Sequence, residues 1–123
     1  MLDTFCLALV IYVEARGEPI DGQLMVADVV VNRQGIDRFP DDLCAVVFDP
    51  DQFTGITDDL DFLGIFADPA WQQSVVVATE VLEGSSMGST ATHYHTLDSN
   101  PYWSNHLTLL GQYGNHVFYE EGD

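Results

Sequence analysis

Phe5 through Val13 is an unbroken apolar run, and it organises the rest of the pattern. A helix with no polar face is buried on most sides. The Ala and Leu content of the run, and the breakers Gly17 and Pro19 beyond it, favour helix over strand. Asp3 or Thr4 is placed to cap it. A second helix is predicted over 21–33, carrying Leu24, Val26, Ala27 and Val29 to Val31 and closing at Gly35. Pro40-Asp41-Asp42 opens a short third helix over 41–48, with acids suited to a first turn. Pro69 opens a fourth over 70–82, bearing Trp71, Val75, Val76, Ala78 and Leu82.

The period then changes. Thr90 to Thr96 alternates, with Thr92, Tyr94 and Thr96 on one face and His93 and His95 on the other. Asn100 to Trp103 reads as a turn with paired aromatic rings, and Leu107 to Leu110 as a short apolar piece. His116 to Tyr119 reads as a closing strand after a Gly114-Asn115 turn. Asp49 to Asp51 reads as a turn and Gln52 to Thr54 as extended. Residues 55–69 read as an acidic loop. As a calcium loop it fails, because Leu63 and Ala70 stand where oxygen ligands belong, so a solvated acidic face is expected. The pattern predicts one α+β domain over 1–123, mainly α-helical, with a few short strands in the C-terminal half.

Composition narrows the partners. Lys and Arg total 3 against 20 Asp and Glu, for a formal net charge of −17. Such a chain repels phosphate backbones and anionic bilayers, so nucleic acid and membrane are not expected partners. The apolar run is far short of the ~20 residues that span a bilayer, and no basic residue precedes it as a signal peptide requires. Two cysteines, Cys6 and Cys44, lack metal-ligand spacing. Both lie in apolar stretches, where buried free thiols are the first expectation and a single bridge the second.

The chemistry-bearing stretch is Glu14-Ala15-Arg16-Gly17-Glu18-Pro19. Glu14 falls in the last turn of the first helix. Pro19 forces Glu18 out of the helical region. A carboxylate held beside apolar surface has its charged form disfavoured, which suits a general acid. Other candidates are Gln52-Phe53, the aromatics Tyr94, Tyr102 and Trp103, and His93, His95 and His116, whose strand spacing zinc ligands can also show.

These pieces together resemble the SleB-type cell wall hydrolases, named for the spore-cortex lytic enzyme. The matching segments include Cys6-Leu7-Ala8-Leu9 leading to Glu14-Ala15-Arg16-Gly17-Glu18-Pro19, and Val30-Val31-Asn32-Arg33. They continue through Phe39-Pro40, Cys44 to Phe48, Gln52-Phe53, Ala91 to His95, Pro101 with Trp103, and Gly114 to Tyr119. They keep the family's order across nearly the whole chain. The resemblance implies a lysozyme-like domain that cleaves peptidoglycan between N-acetylmuramic acid and N-acetylglucosamine. It implies lytic transglycosylation with a 1,6-anhydro product, Glu14 as the catalytic acid, and no cofactor or metal.

On that reading Tyr12, Gln52, Phe53, Tyr94, His95, Trp103 and His116 bind substrate, with Tyr12 helping to bury Glu14. Glu18 is structural, pairing with Arg16 or Arg33, and the arginines near the motifs anchor structure or substrate-peptide carboxylates. Thr54 and Gly55 stand where relatives often have Ser-Trp. A monomer is expected, and the architecture fits a phage lysin released by a separate lysis protein or carried in a virion. Two alternatives stay open: a zinc hydrolase built on the histidines, and a non-catalytic virion or cell-wall binding module of the same fold.

Overall fold

A computed structural model of the chain describes residues 2–50 and 52–121. Helix α1, Leu2–Ala15, lies at the centre, and Cys6 through Tyr12 is a continuous buried stretch. A helix without a polar face must be covered all round. Helices α2 (Ile20–Arg33), α3 (Leu43–Val47) and α5 (Pro69–Leu82) do so. Asp42 caps α3 by accepting from the Ala45 N–H at 3.0 Å. Asp68 caps α5 by accepting from the Ala70 N–H at 2.9 Å, with Pro69 opening the helix. Because α1 is already helical at Leu2, Asp3 and Thr4 form its first turn and do not cap it.

Three expectations change. The segment read as an acidic loop contains a further helix, α4, Phe62–Ala67. Asp61 caps it by accepting from the Gly64 N–H at 3.1 Å, and Ile65 packs inward against Leu9 and Tyr12. The acids around this one apolar turn hide its period. Gln52 to Thr54 is a bend that the Ile56 N–H closes onto the Phe53 carbonyl at 2.9 Å. Its neighbour Asp51, part of the predicted turn, lies outside the described residues. Third, Cys6 and Cys44 form a disulfide between α1 and α3, with Cα atoms 5.4 Å apart. The sequence cannot show that two helices of unknown packing bring these positions within bridging range.

Strands β1 (His93–Thr96), β2 (Thr108–Tyr113) and β3 (His116–Glu120) form an antiparallel sheet in the order β1-β3-β2. A 3-10 helix, Tyr102–Asn105, precedes β2, which extends beyond the apolar piece at 107–110. Fully buried Phe118 and Ala91 pack on Met25, Val26 and Val29 of α2. The polar end of α2 fastens the chain that enters β1. Asn32 Nδ2 donates to the Ser89 and Ala91 carbonyls at 2.9 and 2.8 Å, and Arg33 Nε donates to the Thr92 carbonyl at 2.9 Å. Asp28 accepts from the Ser89 N–H at 2.9 Å. These bonds are why polar residues are tolerated in a buried helix.

A second latch joins the α1–α2 turn to the β2–β3 turn. The Glu18 carboxylate accepts from the Asn115 backbone N–H at 2.7 Å and from Asn115 Nδ2 at 3.1 Å. The backbone bond, more than any other contact, holds its pKa below the usual value. Gly114, at φ +62°, makes the turn possible, since a Cβ there would collide with Glu18. The partner of Glu18 is thus Asn115, and not Arg16 or Arg33 as expected.

Candidate active site

The two latches set the C-terminal end of α1 against β1, with the bend at 52–55 as the facing wall. Tyr94 of β1 donates its hydroxyl proton to Glu14 Oε1 at 2.7 Å. Glu14 is half-buried, and its Oε2 accepts no hydrogen bond among the described residues. The bend approaches so closely that a Cβ on Gly55 would strike the Val13 side chain and come within 2.9 Å of Glu14 Oε2. Glycine at this position therefore lets the wall touch the carboxylate, and nothing in the sequence signals it.

Two adjoining hollows, of about 270 and 330 Å³, form a groove here and share Arg33, Gln52, Tyr94 and Trp103. The first also takes in Glu14, Phe53, Thr54, His95 and Pro101, and Glu14 is the one acid among the described residues that line it. Trp103 forms a ring platform with His93, His95 and Tyr119, at centroid distances of 5.1, 5.8 and 5.4 Å. His95 Nδ1 faces the Thr96 carbonyl at 2.7 Å, so it carries the proton and Nε2 accepts from the Tyr119 hydroxyl at 2.9 Å.

Burial pushes the Tyr94 pKa well up, and the neighbouring Glu14 carboxylate adds to it. Tyr94 thus stays a hydrogen-bond donor through neutral and mildly alkaline pH. Tyr94→Phe removes this donor while keeping the ring that packs on Phe118. Turnover should fall about tenfold, the order of a hydrogen bond to a charged group, with little change in thermal midpoint. An unchanged turnover number in the Phe variant would show that the bond does not position Glu14 for any reaction.

Of the residues predicted to bind substrate, the groove collects Gln52, Phe53, Tyr94, His95 and Trp103. It does not collect Tyr12 or His116. Tyr12 stands two residues before Glu14, about 200° round the helix, and so faces away. Its hydroxyl donates to Asp68 at 2.6 Å, its ring packs on Trp71, and it lines a separate hollow with Arg16 and Ile65. Tyr12 was expected to help bury Glu14, but the tyrosine that meets Glu14 is Tyr94. His116 is buried behind the groove, edge-on to Tyr94 at 4.9 Å. Its Nδ1 has no hydrogen-bond partner among the described residues and lies 4.0 Å from Glu18. Burial pushes its pKa down, so at neutral pH this contact is a neutral imidazole beside a carboxylate.

Strand register separates the histidines. His93 and His95 oppose Tyr119 and Val117, whereas His116 opposes Thr96 on the other face of the sheet. Among the described residues no group of three or more His, Cys, Asp or Glu is placed to hold a metal ion.

His93 has a measurable consequence. Burial, then Arg33 and Arg38, push its pKa down to about 4, against a smaller upward pull from Glu121. The unfolded chain titrates near the ordinary value of 6.5. Between these values the unfolded state binds a proton that the folded state does not, so stability falls as pH drops through the window. The urea midpoint should decline from pH 7 to pH 5, and less steeply in His93→Gln. Parallel declines in the two proteins would remove His93 as the cause.

Comparison with known proteins places this geometry. Its α+β fold is that of the SleB catalytic domains. It superposes on the catalytic domain of the germination-specific lytic transglycosylase SleB from Bacillus anthracis with a TM-score of 0.77 at 28% identity, covering 96% of this chain and 93% of that one. For the catalytic domain of the Bacillus cereus SleB protein the TM-score is 0.73 at 27% identity, covering 96% and 89%. A family model described as Cell Wall Hydrolase matches residues 17–119, beginning just past Glu14. The chain belongs to this cell wall hydrolase family.

Curated relatives agree. The chain is 33% identical over 119 residues to a spore cortex-lytic enzyme of Halalkalibacterium halodurans, covering 94% of this chain and 34% of that protein. It is 29% identical over 116 residues to one of Oceanobacillus iheyensis, covering 94% and 41%. The chain therefore spans about a third to about two fifths of the length of these relatives.

Proposed function

We propose that the domain cleaves peptidoglycan glycan strands between N-acetylmuramic acid and N-acetylglucosamine as a lytic transglycosylase, with Glu14 as its one catalytic carboxylate. One observation carries the reading: Glu14 is the single acid among the described residues lining its hollow, and Glu121, the acid of the adjoining hollow, is engaged by Arg38. Glycosidases that use water as nucleophile ordinarily flank the bond with two carboxylates. A transglycosylase needs one. Glu14 protonates the leaving glycosidic oxygen as the bond to the muramic C1 breaks. As a carboxylate it then takes the proton of that sugar's own C6 hydroxyl, whose oxygen bonds to C1. The nucleophile is held in the substrate, so effective molarity stands in for a second acid.

The geometry supports each role. Tyr94 occupies Oε1 and leaves Oε2 free to exchange the proton. Trp103 and Phe53 offer ring faces to sugars, and Gln52 offers an amide to N-acetyl or hydroxyl groups. The name of the Bacillus anthracis neighbour, a lytic transglycosylase, points the same way. The test is digestion of purified peptidoglycan followed by mass spectrometry. Muropeptides ending in anhydro-muramic acid support the proposal, and products with reducing ends overturn it in favour of hydrolysis.

A further inference from the structure

Resting on that reading, we infer that Arg33 forms a subsite for a carboxylate of the glycan strand, carried by the lactyl group or the stem peptide. The chain has only 3 basic residues against 20 acids, and they are used differently. Arg16 pairs with Asp68 at 3.7 Å, outside the groove. Arg38 is paired with Glu121. Arg33 lies in the shared wall of both hollows, is 5% exposed, and has no carboxylate within salt-bridge range among the described residues, with Asp49 and Glu121 acting on it only from further off. A buried charge without a counterion is costly.

Its guanidinium is also held rigid. Nε is fixed on the Thr92 carbonyl at 2.9 Å. The Phe39 and Phe53 rings lie 4.8 and 5.1 Å from its central carbon. Nη1 has only a long contact to Gln52 Oε1, at 3.4 Å, and Nη2 has no partner among the described residues. Two donors of a pre-oriented fork therefore remain for a ligand, the arrangement that binds a carboxylate in bidentate fashion. It also gives a chain of net charge −17 a local means of holding an anionic polymer.

The test uses the full chain carrying Glu14→Gln, so that nothing is cleaved, and calorimetric titration with defined tetrasaccharides of alternating N-acetylglucosamine and N-acetylmuramic acid. One form bears free lactyl carboxylates and the other bears stem peptides; each is also prepared with its carboxylates amidated. Amidation should weaken binding of at least one form about tenfold, the order of a charge-assisted hydrogen bond. Which form responds identifies the source of the carboxylate. Adding Arg33→Gln should abolish the difference, while the ligand comparison stands even if that variant fails to fold. Equal affinity for free and amidated strands would overturn the subsite alone. No binding of any form would overturn the parent reading and the subsite with it.

Discussion

Glu14→Gln should reduce muropeptide release by about a thousandfold, because general acid–base catalysis is commonly worth 10²–10⁴ and the proposed mechanism gives both proton transfers to this one carboxyl. The fold should survive, since glutamine keeps the shape and its amide oxygen can still accept from the Tyr94 hydroxyl. The thermal midpoint should therefore move by only a few degrees. Glu18→Gln gives the contrast. It weakens the latch to Asn115 and should lower the melting temperature, with activity retained at permissive temperature. Should Glu14→Gln retain activity while Glu18→Gln lost it, the roles of the two acids would have to be exchanged.

Loss of the Cys6–Cys44 bridge should produce the largest stability change in the molecule. It spans a sequence separation of 38 residues, for which the loop-entropy model gives about 4 kcal/mol. That is a large share of the ~5–15 kcal/mol that stabilises a typical domain. For a domain of this size it corresponds to a fall of roughly 10–20 °C in melting temperature. The bridge ties α1, which carries Glu14, to α3, which leads into the bend bearing Gln52 and Phe53. The variant Cys6→Ala with Cys44→Ser avoids dependence on reductant reaching buried Cys6. Coincident melts of this variant and the parent protein would show that the bridge adds nothing.

How far the sequence could be read depended on the reach of each signal. The central helix was legible because an apolar run with no polar face admits one placement. The Glu14 turn was legible from Gly17 and Pro19, and the alternation at 92–96 put Tyr94 and the two histidines on opposite faces. The choice of Glu14 over Glu18 as the proposed acid came from the family resemblance and not from the pattern. Contacts between distant segments were not legible. Nothing local says that Tyr94, 80 residues away, meets Glu14. Tyr12 was the nearer candidate in sequence but the wrong one in helical angle. Glu18 finds its partner 97 residues on, in a turn that needs glycine at position 114. Helix α4 was missed because one apolar turn among aspartates has too few positions to show a period.

Cleavage in oxygen-18 water tests the central claim most directly. If the muramic C6 hydroxyl is the nucleophile and Glu14 the sole acid–base group, the new muramic ends carry no label from solvent. Incorporation of one labelled oxygen per cleavage would mean that water attacks C1, and would contradict the account.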